Sequence, residues 1–299
     1  MNKKITLEAL EILDAIERKG SFAAAAESLF RVPSAITYSI RKLEEDLEVA
    51  LFNRSGHRAT LTEAGQELLQ EGRHLLQAAS ELEARVKRVA TGIETTLTIA
   101  ISDIVRIAPL FKLLEAFYQL GFGTRIKVIQ EVYGGNWDAL IAGRTDISIG
   151  APGDGPSGGG LTIKPMGLMP FVFSVAPHHP LAALTEPLQN QDIVQYRSIS
   201  AADSSRNLPP RTSGILTGQD VLTVANMHNK VEAQASGLGV GYMPQYLADE
   251  QVALGRLIIK QVAEPKPDIM MYMAWRTPEK NMGKAQQWLI KHLEKTAFI

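Results

Sequence analysis

The chain has 299 residues, with 31 Lys+Arg against 32 Asp+Glu, 45% hydrophobic residues and no cysteine. At roughly 150 residues per domain this is two domains or three, enough chain to bury cores without covalent staples. The absence of Cys excludes a disulfide framework, a thiolate zinc site, an iron–sulfur cluster and a cysteine nucleophile. A net charge of −1 excludes binding by bulk positive charge and leaves room for a local basic patch. Glu8, Glu11, Asp14 and Glu17 interrupt the N-terminus, so it has no apolar signal-peptide core. The longest apolar stretch, 168–177, falls far short of the ~20 residues of a membrane span. The expectation is a soluble, cytoplasmic protein without a membrane partner.

Up to about Thr91–Gly92 the sequence reads as helices. Leu7, Leu10, Leu13 and Ile16 form one apolar stripe over 6–19, with Thr6 to cap it and Gly20 to end it. Ser21 caps a second segment, 22–30, rich in alanine. Pro33 opens a third, 33–47, in whose first turn a proline is tolerated. Its buried stripe is Ile36, Ile40, Leu43 and Leu47. The linker Phe30-Arg31-Val32 makes the last two segments a helix-turn-helix candidate. From Arg31 to Lys42 there is no acid, and Ser34, Thr37, Tyr38 and Arg41 share the polar face, while Glu44, Glu45, Asp46 and Glu48 lie at the far end. An ordinary amphipathic helix pair shows the same pattern, so the residues up to here leave both readings open.

Short β-prone pieces around Ser55-Gly56 then read as a two-stranded wing with Arg54, His57 and Arg58 at its tip. From Glu63 to Ala90 no proline intervenes. Leu68, Gly72, Leu75, Ala79, Leu82, Val86 and Val89 recur at 4, 3, 4, 3, 4 and 3, a heptad seam. A second chain is the natural occupant of that seam; packing on the chain's own helices is the alternative.

The residues 10–22 (LEILDAIERKGSF), 24–29 (AAAESL), 34–37 (SAIT), 40–47 (IRKLEEDL), 51–54 (LFNR) and 61–65 (LTEAG), in this order and spacing, resemble the DNA-binding domain of LysR-type transcriptional regulators. The long helix and the α/β remainder are similar to that family as well. The resemblance implies a winged helix-turn-helix over 1–62, a dimerising linker helix over 63–91, and a two-lobed effector domain over 92–299, of the periplasmic-binding-protein type. It also implies homodimers that pair into homotetramers, with RNA polymerase as a further partner and no cofactor. Where the family carries a polar cap and a Gln at the start of the recognition helix, this chain has Val32 and Pro33, so no contact is carried over to those two positions. DNA contact is expected from Ser34, Thr37, Tyr38 and Arg41, from Arg54 and Arg58 in the wing, and, by charge and place, from Arg31. Arginines neutralise phosphates without reading sequence, whereas short polar and aromatic groups meet base edges and thymine methyls. Dimerisation is expected through Leu68, Leu75, Ala79, Leu82 and Val86.

After Gly92 the pattern is β-α-β-α-β: strand 97–101, helix 103–120, strand 125–132, helix 136–142, strand 146–150. This alternation predicts a parallel sheet with ligand groups at the carboxyl ends of its strands. Ser102 and Asp103 fall at such an end. The segment 152–160 (PGDGPSGGG) reads as a hinge, with lobe 1 at 92–160 and 268–299 and lobe 2 at 161–267. His178 and His179 have no metal-ligand spacing. The second wall of the cleft is expected from the loop after an apolar strand at 193–194, with Ser200 and Ala201, and from Asn226 before a helix at 229–236. Seryl, threonyl, Asn and Arg groups around the cleft point to a small organic or aromatic acid as effector. A hydrolase has no support, since no G-x-S-x-G is present. A secreted solute-binding protein would need a leader and no helix-turn-helix.

Overall fold

A computed structural model of the chain describes residues 4–53, 60–153, 155–156, 160–277 and 282–299. It divides into two compact units, Met1–Val89 and Ala90–Ile299.

In the first unit, α1 (Leu7–Lys19) starts where the Thr6 hydroxyl accepts the Ala9 N–H and stops at Gly20 in the left-handed region. α2 (Phe22–Ser28) is capped by Ser21, and α3 (Pro33–Leu47) starts on its proline. The buried face of α1 is wider than the single stripe. Ala9, Leu10, Ile12, Leu13, Ala15 and Ile16 are all buried, while Leu7 is exposed. All but Leu10 share a core with Ala25 and Ala26 of α2 and with Ile36, Ile40 and Leu43 of α3. The wing is an antiparallel pair, β1 (Phe52–Asn53) and β2 (Thr60–Leu61).

Glu44 does not face away with its acidic neighbours. It is buried, and one carboxylate oxygen accepts the N–H groups of Leu51 at 2.7 Å and Phe52 at 3.2 Å, tying α3 to the wing. Glu44→Ala strands those buried donors, so it is expected to cost on the order of 2 kcal/mol or more, read as a lower unfolding temperature. Glu44→Gln retains an acceptor and should recover most of the loss.

α4 (Glu63–Thr91) opens with Thr62 accepting the Gly65 N–H. Gly65 is required by close approach, because a Cβ there would lie 2.2 Å from the Leu51 carbonyl oxygen.

The second unit is built from two sheets. The first has the order β4-β3-β5-β12-β6, from β3 (Thr96–Ser102), β4 (Arg125–Glu131), β5 (Ile147–Pro152), β6 (Leu161–Met169) and β12 (Ile269–Arg276). β3, β4 and β5 are parallel, and β12 runs antiparallel to β5 and β6. α5 (Ala108–Tyr118) and α10 (Lys284–Leu293) share a core with one face of this sheet, and α6 (Gly135–Ile141) packs through Trp137 and Leu140 against Ala151 and Ala274. The second sheet pairs β7 (Phe171–Val175) with β10 (Gly241–Pro244) and β11 (Ile258–Lys260). β8 (Ser198–Ala201) and β9 (Val221–Val224) form a parallel pair that a bridge from Ser198 to Val240 joins to it. α7 (Asn190–Ile193), α8 (Met227–Ala235) and α9 (Gln245–Ala253) complete this lobe.

This topology corrects four expectations. β6 pairs with β12 along 161–169, so it belongs to lobe 1. The chain crosses at Met169–Phe171, and 152–160 joins two strands of one sheet rather than acting as the hinge. The first helix begins at Ala108, beside Pro109, and not at Asp103, with Ile107 at its N-cap. Ile193 ends a short helix; the strand of that region is β8 itself. α8 starts at Met227, two residues before Asn229.

Candidate functional site

On α3 the residues with reading potential lie together. Ile36, Ile40 and Leu43 face the core, which leaves Ser34, Thr37, Tyr38 and Arg41 exposed on the opposite side. Two of the expected readers are engaged internally. The Thr37 hydroxyl donates to the Pro33 carbonyl at 3.0 Å, and the Arg31 guanidinium is paired with Glu8 at 2.5 Å. Both Arg31 and Glu8 are about half exposed, so this pair is worth little and a phosphate can compete for the arginine. Arg54 and Arg58 lie outside the described residues.

The α4 seam divides into two stretches. Gly72 packs against the Leu10 side chain, where a Cβ would come within 2.7 Å, and Leu68 and Leu69 join the core of their own unit. Arg73 fastens the same turn to α1 by reaching Asp14 at 2.8 Å and Glu17 at 3.0 Å. Leu68 is thereby taken out of the expected dimer seam. From Leu75 onward the row stays open, with Leu75 53% exposed, Leu82 56%, Val86 61% and Val89 83%, and only Ala79 among them half-buried.

In the second unit a narrow cleft lies where the two lobes meet. Ser102, Asp103, Ile104, Val132, Tyr133 and Pro152 line it from lobe 1. Phe171, Ala201 and Met227 face them, with Ile269 from the returning chain. The strand ends place these groups as the parallel topology requires. The Ser102 hydroxyl is buried with no hydrogen-bond partner among the described residues. Asp103 accepts the Met227 N–H at 2.8 Å, and burial pushes its carboxyl up to about 6. Tyr133 adopts a positive φ of 48° at the rim, and burial, with Asp103 and Asp203 nearby, raises its phenol to about 12. Such strained residues cluster at ligand sites.

Two cations stand behind this lining. Lys230, one turn along α8 from Met227, is fully buried, which lowers its ammonium to about 7 with help from Lys266. Lys266 caps the Phe171 ring at 3.9 Å and is lowered to about 8 by burial. The other expected contacts stand outside the lining. Ser200 is buried, with a long bond to the Ala201 carbonyl at 3.4 Å, and the Asn226 side chain caps α8 by accepting the Asn229 N–H at 2.9 Å.

A latch that the sequence did not announce crosses the cleft. The loop after β8 lays Asp203 on the N–H groups of Gly134 at 3.2 Å and Gly135 at 3.1 Å. Ser204 accepts the Val132 N–H at 2.8 Å and bonds to the Glu131 carboxylate. Arg144 bridges Glu131 and Asp138, at 2.7 and 2.8 Å. Asp138 also accepts the N–H groups of Arg206 and Asn207. Burial works against the Asp138 charge, but Arg144 and these donors hold its pKa below the usual carboxylate range. Only the serine-rich composition of 203–205 hinted at this.

His179 accepts the Leu181 N–H and packs edge-on against Tyr196. Among the described residues no group of His, Asp and Glu is arranged to hold a metal ion, and no helix is long and apolar enough to cross a membrane.

Residues 90–297 match the family model described as the LysR substrate binding domain, and residues 7–66 match that of the bacterial regulatory helix-turn-helix protein, lysR family. The chain is 42% identical to an uncharacterized HTH-type transcriptional regulator, YeeY, of Escherichia coli K12, over 95% of this chain and 92% of that one. It is 39% identical to a probable HTH-type transcriptional regulator, YhaJ, of the same strain, over 98% and 97%. In fold it is similar to crystalline CbnR, described as a LysR family transcriptional regulator, with a TM-score of 0.62, 16% identity, and 98% and 99% of the two chains covered.

Proposed function

The chain belongs to the LysR family of bacterial transcriptional regulators, and from that premise we propose that it binds promoter DNA as paired dimers and is switched by a small organic acid held between the lobes of its second unit. The role is recognition, with no catalytic step. The observation that carries the switch is Ser102: a buried hydroxyl without a partner among the described residues, lining a cleft whose other walls are apolar apart from Asp103 and Tyr133. Leaving such a group unpaired is costly, and a ligand oxygen relieves the cost.

Lys230 and Lys266 favour an acid over a neutral ligand, and Ile104, Val132, Phe171, Met227 and Ile269 suit an aromatic or branched body. An acid bound near Asp103 raises that carboxyl further, and it also needs Lys230 protonated. Affinity is therefore expected to fall as pH rises through about 7. Ligand contact with both lobes biases their orientation only through differential affinity for the two states. That bias, passed to the spacing of DNA-binding dimers in a homotetramer, would alter promoter bending, and with it access of RNA polymerase.

Ser102→Ala is the test. A thermal-shift screen of the full chain against aliphatic and aromatic acids identifies the effector, which at 100 times its Kd adds about 2.7 kcal/mol of stability. The variant should fold at least as stably, keep its DNA affinity, and lose the acid response. A normal response would remove Ser102 from the site.

The DNA face has its own test. Arg41→Ala should weaken specific and random duplexes alike and flatten the dependence of log K on log salt by about one unit. Lost sequence preference at an unchanged slope would make Arg41 a base reader instead.

A further inference from the structure

α2 ends as helices do when glycine follows. The Arg31 N–H reaches the Ala26 carbonyl at 2.9 Å, the Phe30 N–H reaches Glu27 at 3.1 Å, and Phe30 takes a φ of 54°. A bulky side chain is disfavoured in this region, and glycine is its usual occupant. Phe30 is nevertheless 97% exposed, so its ring adds nothing to the core. Two residues on, Val32 is 63% exposed at the N-cap of α3, a position that ordinarily carries a hydrogen-bonding side chain, and a valine side chain has no polar atom to offer there. Pro33 follows, exposed and without an N–H. The leading end of α3 thus presents an apolar edge beside Ser34, Thr37, Tyr38 and Arg41. Of the polar groups next to it, the Thr37 hydroxyl is engaged with the Pro33 carbonyl.

We propose that Phe30, Val32 and Pro33 are specificity-determining residues that select thymine in each half-site by packing against its C5-methyl group. This rests on the DNA-binding reading above and names what that face reads. The thymine methyl is the apolar group among the base-edge groups of the major groove. The apolar side chains of this edge offer no hydrogen-bond acceptor, which distinguishes thymine from cytosine, whose amino group the edge leaves unpaired. Continuity with the exposed polar face of α3 places the edge where the groove floor meets the helix start.

The experiment begins with selection of duplexes from a random library by the full-length protein. The enriched duplex is then resynthesised with deoxyuridine replacing thymidine one position at a time, which removes the methyl and keeps every hydrogen-bonding group. At fixed salt, at least one position per half-site should lose affinity roughly fourfold for each methyl removed. In Val32→Ser and Phe30→Ser that loss should shrink toward unity. Both sites are exposed, and a serine at 32 supplies α3 with a capping hydroxyl, so folding should survive, as circular dichroism will report. Uracil duplexes that bind as well as thymine duplexes overturn the inference. So does a uracil penalty of the same size in both variants, which assigns the methyl to another residue or to duplex shape. Failure to enrich any sequence overturns the DNA-binding reading itself, an outcome separate from the other two.

Discussion

Replacing Lys230 by methionine is expected to raise the thermal stability of the second unit at pH 7 by several kcal/mol. Lys230 is fully buried, its ammonium has Lys266 as a like-charged neighbour, and Asp103 is the weaker of the two charges acting on it. Its pKa falls from 10.5 to about 7 because burial disfavours the charged form. Below about 7 both the folded and unfolded chains carry the proton, and the full desolvation cost is present. Between about 7 and 10.5 the folded chain has released the proton that the unfolded chain retains, so wild-type stability rises with pH. Methionine has similar reach and no charge. Its advantage should be largest at or below pH 7 and should fade toward pH 10. Thermal unfolding followed at several pH values measures this directly. A variant less stable than wild type at pH 7 would mean that Lys230 and Asp103 form a true buried ion pair, whose breaking strands a charge. The same substitution should remove the response to acids, because the buried cation that favours them is gone. The fold therefore bears an energetic cost at the site where the proposed ligand would relieve it, a usual relation between strain and function.

The second large effect is expected at α4. Leu82→Glu should convert dimers to monomers at micromolar concentration. Leu75, Leu82, Val86 and Val89 remain exposed in the single chain, and they repeat at heptad positions. A glutamate on this row loses its apolar contact and must be desolvated beside its symmetry mate in a two-fold interface. The consequence for DNA is multiplicative. Two linked reading helices gain from effective concentration, and a monomer forfeits a factor of about 10²–10⁴ in affinity for a paired site. Sedimentation velocity and a titration of the paired-site duplex would show it together. Wild-type assembly in the variant would mean that the row is covered by something other than its own copy, or that contacts between second units suffice. The equivalent change at Leu68 should instead unfold the first unit, since that side chain packs with its own core.

What could be read from residues alone was local and periodic. The 3.6-residue spacing, Thr6 and Ser21 as caps, Gly20 as a stop and Pro33 as a start placed α1, α2 and α3 closely, and the proline-free heptad run placed α4, because each signal acts within a few residues of where it is written. The order of strands and helices in 96–152 likewise marked a parallel sheet and put Ser102 and Asp103 at a strand end. Charge type did not disclose location. Glu44 sits in an acidic run, yet it is drawn inward by two backbone N–H groups that only the wing brings to it. Lys230 sits in a polar helix, yet it is sealed under the sheet. The cleft was half legible. Ser102, Asp103 and Ala201 line it, whereas Tyr133, Phe171, Met227 and Ile269 carry no motif and meet there only because β6 and β12 pair along their length and move the crossing point to Met169–Phe171. The hinge assigned to 152–160 failed for the same reason: a glycine-rich run reports freedom of the backbone, and strand pairing across more than a hundred residues of sequence decides which lobe it serves. Local signals were enough for the first four helices, their caps and the family. Tertiary structure alone decided which apolar side chains the core absorbs and which stay exposed, since that depends on partners distant in the chain.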